Sequence, residues 1–585
     1  MSVTTAGLAP APTEHLLDDV RLAVLTKGAP ARWSLEPQSD GTSDSTSDGT
    51  EVLEVRADDD LEIRLSVPLG DAVGFWHPDA GWERTVVADW AGQARVSLVQ
   101  GAVAGCLYDN AGASMLAFAA LDPVPETTMR FGVSEENKTF VVHLHVPAGR
   151  SPYRIAFARR SPSVAAAMRV LRRGLGEGQA GAPEGARLPV YSTWYGFSQA
   201  VEDAAVAEEA RLAAELGCGV IILDDGWQEL GNGRGYQGLG DWQPDTTKFP
   251  DFAGHVARVQ GYGLKYLAWV APLLLGPEAR CYAELSQYAP QPGWAPGAQV
   301  LDPRRPEVRA HVVDLCARLV ADYGLDGLKI DFLDQTMVYA GRPGPGCDVP
   351  DVGTAMLLML SDLVAAVEAV RPGALIELRQ PYVGPGMAPF GSMLRADDCP
   401  ADAVANRVRT IDVGLLAIRG VVHADMLMWD PSAPAHAAAR QLIGALHAVP
   451  QISARLGELP DEHRRTVAFW LRRWQELRPL LLDGEVEPGR PDELYPVVSA
   501  ALGDECVISV TSDRVVTVGA FRKVTVVNGT SSGRLVLDVA RDGLSVSETR
   551  AADGSMIVPT AGTLRPGLCS LDVPPSGLAV LEVRV

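Results

Sequence analysis

The sequence predicts an α/β fold: a (β/α)8 TIM barrel flanked by an N-terminal β-sandwich and a smaller C-terminal β-sandwich. Three observations carry this. The apolar periodicity changes twice along the chain, the central part alternates eight short apolar runs with longer helical patterns, and carboxylates recur at one end of those runs.

Residues 1–173 read as short alternating strands, of which Glu51–Arg56, Leu61–Val67 and Phe140–Val146 are the clearest. The polar, low-complexity stretch 36–50 interrupts them and reads as a disordered loop. A helical pattern over 161–173 closes this part, and the Gly-rich stretch 174–187 reads as a linker. The barrel is expected over 188–482. Its eight runs are Pro189–Tyr195, Gly219–Asp225, Leu264–Pro272, Gly327–Asp334, Leu375–Pro381, Ser392–Asp398, Val421–Trp429 and Val449–Leu456. The first helix places Val201, Ala205, Leu212 and Leu216 on one face and ends at Gly217. Thr354 is the expected cap of a helix running through Leu357, Leu360, Val364 and Val367. An open doubly wound sheet is the alternative architecture, but no Gly-x-Gly-x-x-Gly follows the first run. Residues 483–585 return to alternation, in Glu505–Val510, Val515–Val518, Lys523–Val527 and Leu578–Val583. Asn528-Gly529 reads there as a hairpin turn.

A chain of 585 residues should fold as about three domains. Its formal charge of −22 argues against nucleic acid and against an anionic membrane face, and its plainest effect is solubility. No apolar run reaches membrane-spanning length. The start Met1-Ser2-Val3-Thr4 lacks a basic stretch before an apolar core, so no signal peptide is expected and the location is expected to be cytoplasmic. Asn137-Lys-Thr and Asn528-Gly-Thr are then idle as glycosylation sites. Eight cysteines without metal-finger spacing read as reduced thiols. No cofactor is expected, and a homo-oligomer remains open.

In a barrel, chemistry collects at the C-terminal ends of the strands. Those ends carry Trp194-Tyr195, Asp224-Asp225-Gly226-Trp227, Trp269, Lys329 and Asp331, Glu377 and Arg379, Arg395 with Asp397-Asp398, and His423 with Asp425. Carboxylates accept hydrogen bonds from hydroxyls, indoles stack on the apolar face of a pyranose, and two further carboxylates can cleave a glycosidic bond. A single Asp at a strand end is more often a loop cap. Asp334 reads as such a structural residue, and His423 as a hydrogen-bonded core histidine. Recurrence at five strands is what points to a sugar site, with an oligosaccharide or small glycoside as the partner. A metal held by Asp224, Asp225, Asp331 and His423 is the weaker reading, because no His-x-His or His-x-x-x-His pair accompanies them. Lys329 lies two residues before Asp331, on the same side of its strand, and is expected to keep that carboxylate ionised.

Ile221–Gln228, Gly240–Pro250, Leu301–Val308 and Leu328–Asp331, in this order, resemble the α-galactosidases of glycoside hydrolase family 36 and the related family 27. The Asp-Asp-Gly-Trp-Gln form is also similar to raffinose synthases. The resemblance covers roughly 190–480. It implies that Asp331 is the nucleophile, that Lys329 contacts sugar hydroxyls, and that Asp224 and Asp225 bind the 4- and 6-hydroxyls of galactose. It also implies that Trp194, Trp227 and Trp269 are site residues. Asp397 matches the acid/base, with one extra residue in the alignment that leaves Asp398 open. Two departures bear on the sugar. The family's Cys-containing segment after strand 5 is replaced by Leu378–Gly386, with Arg379 near the cysteine's place, and Val270-Ala-Pro stands where a glutamate is usual after the strand 3 tryptophan. Arg379 is expected to favour a modified, acidic or differently substituted sugar, N-acetylgalactosamine and β-L-arabinopyranose being candidates. The implied chemistry is retaining hydrolysis of terminal α-galactosides. A raffinose synthase-type transglycosylase and a silent sugar-binding protein are the alternatives. Trp76, Trp82 and Trp90 are expected to pack in the sandwich core, or else to overhang the site as an acceptor subsite.

Overall fold

The computed structural model describes residues 14–17, 19–37, 50–149, 152–176, 181–558 and 562–583. Eight parallel strands form the central sheet: Val190–Ser192, Val220–Leu223, Lys265–Val270, Gly327–Ile330, Leu375–Arg379, Met393–Arg395, Val421–His423 and Gln451–Ile452. Each falls inside one of the eight apolar runs. The eighth pairs with the first through Val190↔Gln451, and the parallel bridges His423↔Val449 and Leu427↔Ile452 join seventh to eighth. The sheet is therefore a closed barrel and not an open doubly wound one. Its strands are buried on both faces, which is why they read as continuous apolar runs rather than alternating ones.

Two six-stranded antiparallel sheets face each other ahead of the barrel, and a six-stranded and a three-stranded sheet follow it. The polar stretch 36–50 is partly strand: Pro37 pairs with Glu51, and Thr50 pairs with Ala158; residues 38–49 lie outside the described residues. The helix before the barrel runs Val164–Leu175, capped by the Ser163 hydroxyl accepting from the amide of Ala166. Within the expected linker, Glu184–Arg187 forms a 3-10 turn, and 177–180 lie outside the described residues.

Several expectations are refined or corrected. The helix Asp203–Leu216 ends at left-handed Gly217 and packs Ala205, Leu212 and Leu216 against the core as expected, with Val201 buried just ahead of it, but Val206, Ala207, Glu209, Ala210 and Ala213 are buried more fully. Glu209 turns inward because it accepts bonds from Tyr191 and from the amides of Leu456 and Gly457. The helix Val352–Val370 is capped by Asp351, whose carboxylate accepts from the amide and hydroxyl of Thr354, so Thr354 lies inside the first turn. This 19-residue helix, of mean hydropathy 1.7, is long and apolar enough by length and composition to cross a membrane. Its face of Val352, Ala355, Met356, Met359, Leu363 and Val367 is instead buried in the protein core. Asn528-Gly529 makes no hairpin. The strand Lys523–Asn528 pairs with 505–510 and 578–583, and the chain then crosses to the other sheet. Asn528 holds this crossover, donating to the carbonyls of Ser532 and Val573 and accepting from Thr530.

Trp82 and Trp90 do not pack in the sandwich. They are 59% and 75% exposed. Trp76 is buried, but at the junction with the barrel, where its indole N–H donates to Asp412 at 2.9 Å.

Candidate active site

A pocket of about 360 Å³ opens at the C-terminal ends of the barrel strands. Eight of the nine residues singled out line it: Trp194, Asp224, Asp225, Trp269, Lys329, Asp331, Arg379 and Asp397. Trp227 does not reach it. That indole is fully buried, stacks on Phe252 and donates to the carbonyl of Trp269 at 2.9 Å, so it props the third strand from behind.

Asp331 follows the fourth strand directly and is held on every side. Its Oδ1 accepts from Arg379 Nε at 2.6 Å, from the amide of Phe332 at 2.7 Å and from the Tyr382 hydroxyl at 3.2 Å. Its Oδ2 accepts from the Trp269 indole at 2.9 Å. Burial opposes its charge, but Arg379 and then Lys329 outweigh burial and hold the carboxyl well below the usual carboxylate range. Phe332, the next residue, sits at φ 61°, a left-handed backbone that a bulky residue adopts only where its surroundings impose it. The cation bonded to Asp331 is thus Arg379. Lys329 instead forms a 2.6 Å ion pair with Asp224 Oδ2, and this pair raises the Lys329 ammonium pKa against the opposing effect of burial.

Asp225 accepts from Gln199 at 2.8 Å and from Gln228 at 2.7 Å. Both partners are neutral, and burial pushes its carboxyl up to about 6. Gly226 turns the chain beside it at φ 117°, where a Cβ would lie 2.5 Å from Gln199 Cα.

On the sixth strand Arg395 splits its reach. Its Nη1 lies 2.5 Å from Asp425 and 2.9 Å from Asp398, and its Nε lies 3.5 Å from Glu377. Asp398, with its side chain 53% exposed, is thereby held below the usual carboxylate range: desolvation opposes the charge, and Arg395 outweighs it. Asp397 is half-exposed, donates its backbone N–H to Gln380 Oε1 and lies 3.5 Å from Arg379 Nη1. One guanidinium therefore touches both Asp331 and Asp397. A second hollow of about 250 Å³ shares Asp397 and Pro381 with the pocket, and Trp82 of the N-terminal domain walls it.

His423 is a buried core histidine. Its Nε2 donates to the carbonyl of Ala186 at 2.8 Å, and burial pushes its pKa down to about 4. Among the described residues no group of three or more His, Cys, Asp or Glu side chains is placed to hold a metal ion.

Six lining residues are not marked as site residues by the sequence: Tyr236, Trp294, Phe332, Asp334, Pro381 and Met426. Tyr236 and Trp294 come from loops, where no periodicity marks which way a side chain faces. Asp334 was placed as structural. Six aspartates and three cations line the pocket, and Arg379 already donates to Asp331 and to the carbonyl of Gln380. An acidic sugar substituent would meet net negative charge here, contrary to the expectation drawn from Arg379.

The family model described as Melibiase matches residues 186–381. Alpha-galactosidase 2 of Pediococcus pentosaceus is 28% identical over 202 residues, 33% of this chain and 28% of that protein. Alpha-galactosidase Mel36A of Lactobacillus acidophilus is 33% identical over 134 residues, 21% of this chain and 17% of that one. The aligned part thus spans less than a third of these relatives. In fold the agreement is far longer. The family 36 α-galactosidase AgaA of Geobacillus stearothermophilus, solved with raffinose, superposes with a TM-score of 0.68 at 14% identity, covering 98% of this chain and 85% of that one. This chain is similar to α-galactosidases over part of its barrel and shares the fold of those of family 36. In such an α-galactosidase-like chain the matched segment 186–381 carries the first five barrel strands, and with them Asp224, Asp225, Lys329, Asp331 and Arg379. The acid/base candidates Asp397 and Asp398 lie beyond it.

Proposed function

We propose that this chain is a retaining α-glycosidase that hydrolyses terminal α-galactosides by double displacement. The observation that carries this is Asp331: an enclosed carboxylate kept ionised at the base of a sugar-sized pocket, with a second, more open carboxyl, Asp397, against the same arginine. Asp331 attacks the anomeric carbon while protonated Asp397 gives its proton to the leaving oxygen. Water, deprotonated by Asp397, then displaces Asp331 and restores the α configuration. Asp398 suits the acid role less well, since its tie to Arg395 favours the ionised form. The hollow walled by Trp82 adjoins Asp397, on the side where a leaving group departs, and an exposed indole there offers a stacking face to a sugar aglycone or acceptor.

A panel of 4-nitrophenyl α-galactoside, α-N-acetylgalactosaminide and β-L-arabinopyranoside tests the reading. Hydrolysis of at least one is expected, with Asp331→Asn lowering kcat by at least about 10³-fold while the fold survives. Full activity in that variant would overturn the assignment. Product analysis with a sugar acceptor separates hydrolysis from raffinose synthase-type transfer, and binding without turnover would favour a silent sugar-binding protein.

A further inference from the structure

Asp334 stands in the first turn of the 3-10 helix Leu333–Tyr339, immediately beyond the strand that presents Asp331, and it lines the same pocket. Its side chain is 16% exposed. Its Oδ1 is buried with no hydrogen-bond partner, and the nearby cation, Arg379 Nη2, is 3.9 Å away. Arg379 is engaged elsewhere: Nε holds Asp331 and Nη1 donates to the carbonyl of Gln380 at 2.7 Å. Burial pushes the Asp334 carboxyl up to about 6 in spite of Arg379. A carboxyl left so poorly satisfied is costly to fold unless a ligand completes it.

The position of Asp334 limits what that ligand group can be. Asp331 fixes the anomeric carbon. Lys329 is taken up by Asp224, whereas Asp334 stands 3.9 Å from Arg379, the cation bonded to Asp331, and so lies near the carbon that Asp331 would attack. Two ring atoms adjoin an anomeric carbon. The ring oxygen carries no proton and would be repelled by a carboxylate. The other neighbour, C2, carries a hydroxyl or an amino group, and either can donate.

We propose that Asp334 is a specificity-determining residue that accepts a hydrogen bond from the donor group on C2 of the glycone. This deepens the glycosidase reading and rests on it. It also assigns a preference: a glycone with a donor at C2 is taken over one without, and a protonated 2-amino group is bound at least as well as the hydroxyl.

The test compares kcat/KM of the wild type, Asp334→Ala and Asp334→Asn on 4-nitrophenyl α-galactoside, its 2-deoxy analogue and its 2-amino-2-deoxy analogue. Comparing enzymes on one substrate cancels each substrate's intrinsic reactivity. Asp334→Ala is expected to lose about 10- to 100-fold on the parent and the amino sugar, and less than about threefold on the 2-deoxy sugar. If Asp334→Ala does not fold, Asp334→Asn is read instead, with a larger loss on the amino sugar than on the parent. Equal losses on the parent and the 2-deoxy sugar in the variant that folds would overturn the proposal. Failure of the glycosidase reading looks different: the wild type would turn over none of the three. Calorimetry with galactose and 2-deoxygalactose then decides, and equal affinity of the wild type for both overturns the role of Asp334.

Discussion

Arg379 ties its Nε to Asp331 by a single 2.6 Å bond, and its guanidinium lies over the rings of Phe332 and Tyr382, which leaves it little freedom to swing away. Its charge is the largest influence favouring ionised Asp331, the proposed nucleophile. Attack requires that ionised form, so activity is lost as pH falls through the Asp331 pKa. Replacing Arg379 with Ala removes the depression, raises that pKa and moves the acid limb of the kcat/KM profile to higher pH, by on the order of one to three units. A pH–rate series checks this, and an acid limb unmoved in Arg379→Ala would mean that the guanidinium only shapes the pocket. The sequence showed both Lys329 and Arg379, but could not show which cation reached which carboxylate. Lys329 shares a strand face with Asp331 and does help keep it ionised, as expected, but its direct ion pair is with Asp224, which reaches across from the second strand.

At the scale of the element, the turn after the second strand governs Asp225. Gly226 has a backbone conformation that L residues resist, and Gln199 packs where its Cβ would be. Gly226→Ala should push Gln199 off Asp225, raise KM about tenfold or more, and cost about 1–3 kcal/mol of stability. Steady-state kinetics and a denaturant titration read the two effects, and an unchanged KM would detach the turn from binding. This level of the fold was largely legible. Strands buried on both faces leave apolar runs, and the carboxylates at their ends follow from the barrel's architecture. The loops were not. Tyr382 reaches Asp331 from beyond the fifth strand, and Tyr236 and Trp294 arrive from long connections, in positions that depend on a chain path no local period records. Trp227 misled for the related reason that a motif residue at a strand end can prop the site instead of lining it.

At the scale of the molecule, one carboxylate ties three domains together. Asp412, on the barrel helix Ala403–Leu416, accepts from Trp76 at 2.9 Å, from Tyr495 at 2.6 Å and from the Arg84 guanidinium. All four side chains are buried. Asp412→Ala would strand Arg84 in the interior, at a cost of about 3–5 kcal/mol, readable as a lowered Tm. A Tm within one degree of the wild type would show that the cluster contributes little. Nothing in the sequence announced it, because its members are drawn from chain segments as far apart as Arg84 and Tyr495, 411 residues.

The same helix carries Arg409, whose Nη1 donates to the backbone carbonyls of Asp397 and Asp398 at 3.1 and 2.6 Å. One end of this helix is therefore bolted to the flanking domains, while its side holds the segment that bears the proposed proton donor. Asp331, by contrast, is secured entirely from within the barrel. A barrel excised at its borders would keep Asp331 and Arg409 but lose Trp76, Arg84 and Tyr495, the flanking side chains that hold Asp412 on the helix carrying Arg409. The two sandwiches thus bear on the proposed proton donor through that helix, and swapping either for a relative's should shift the basic limb of the pH profile before it raises KM.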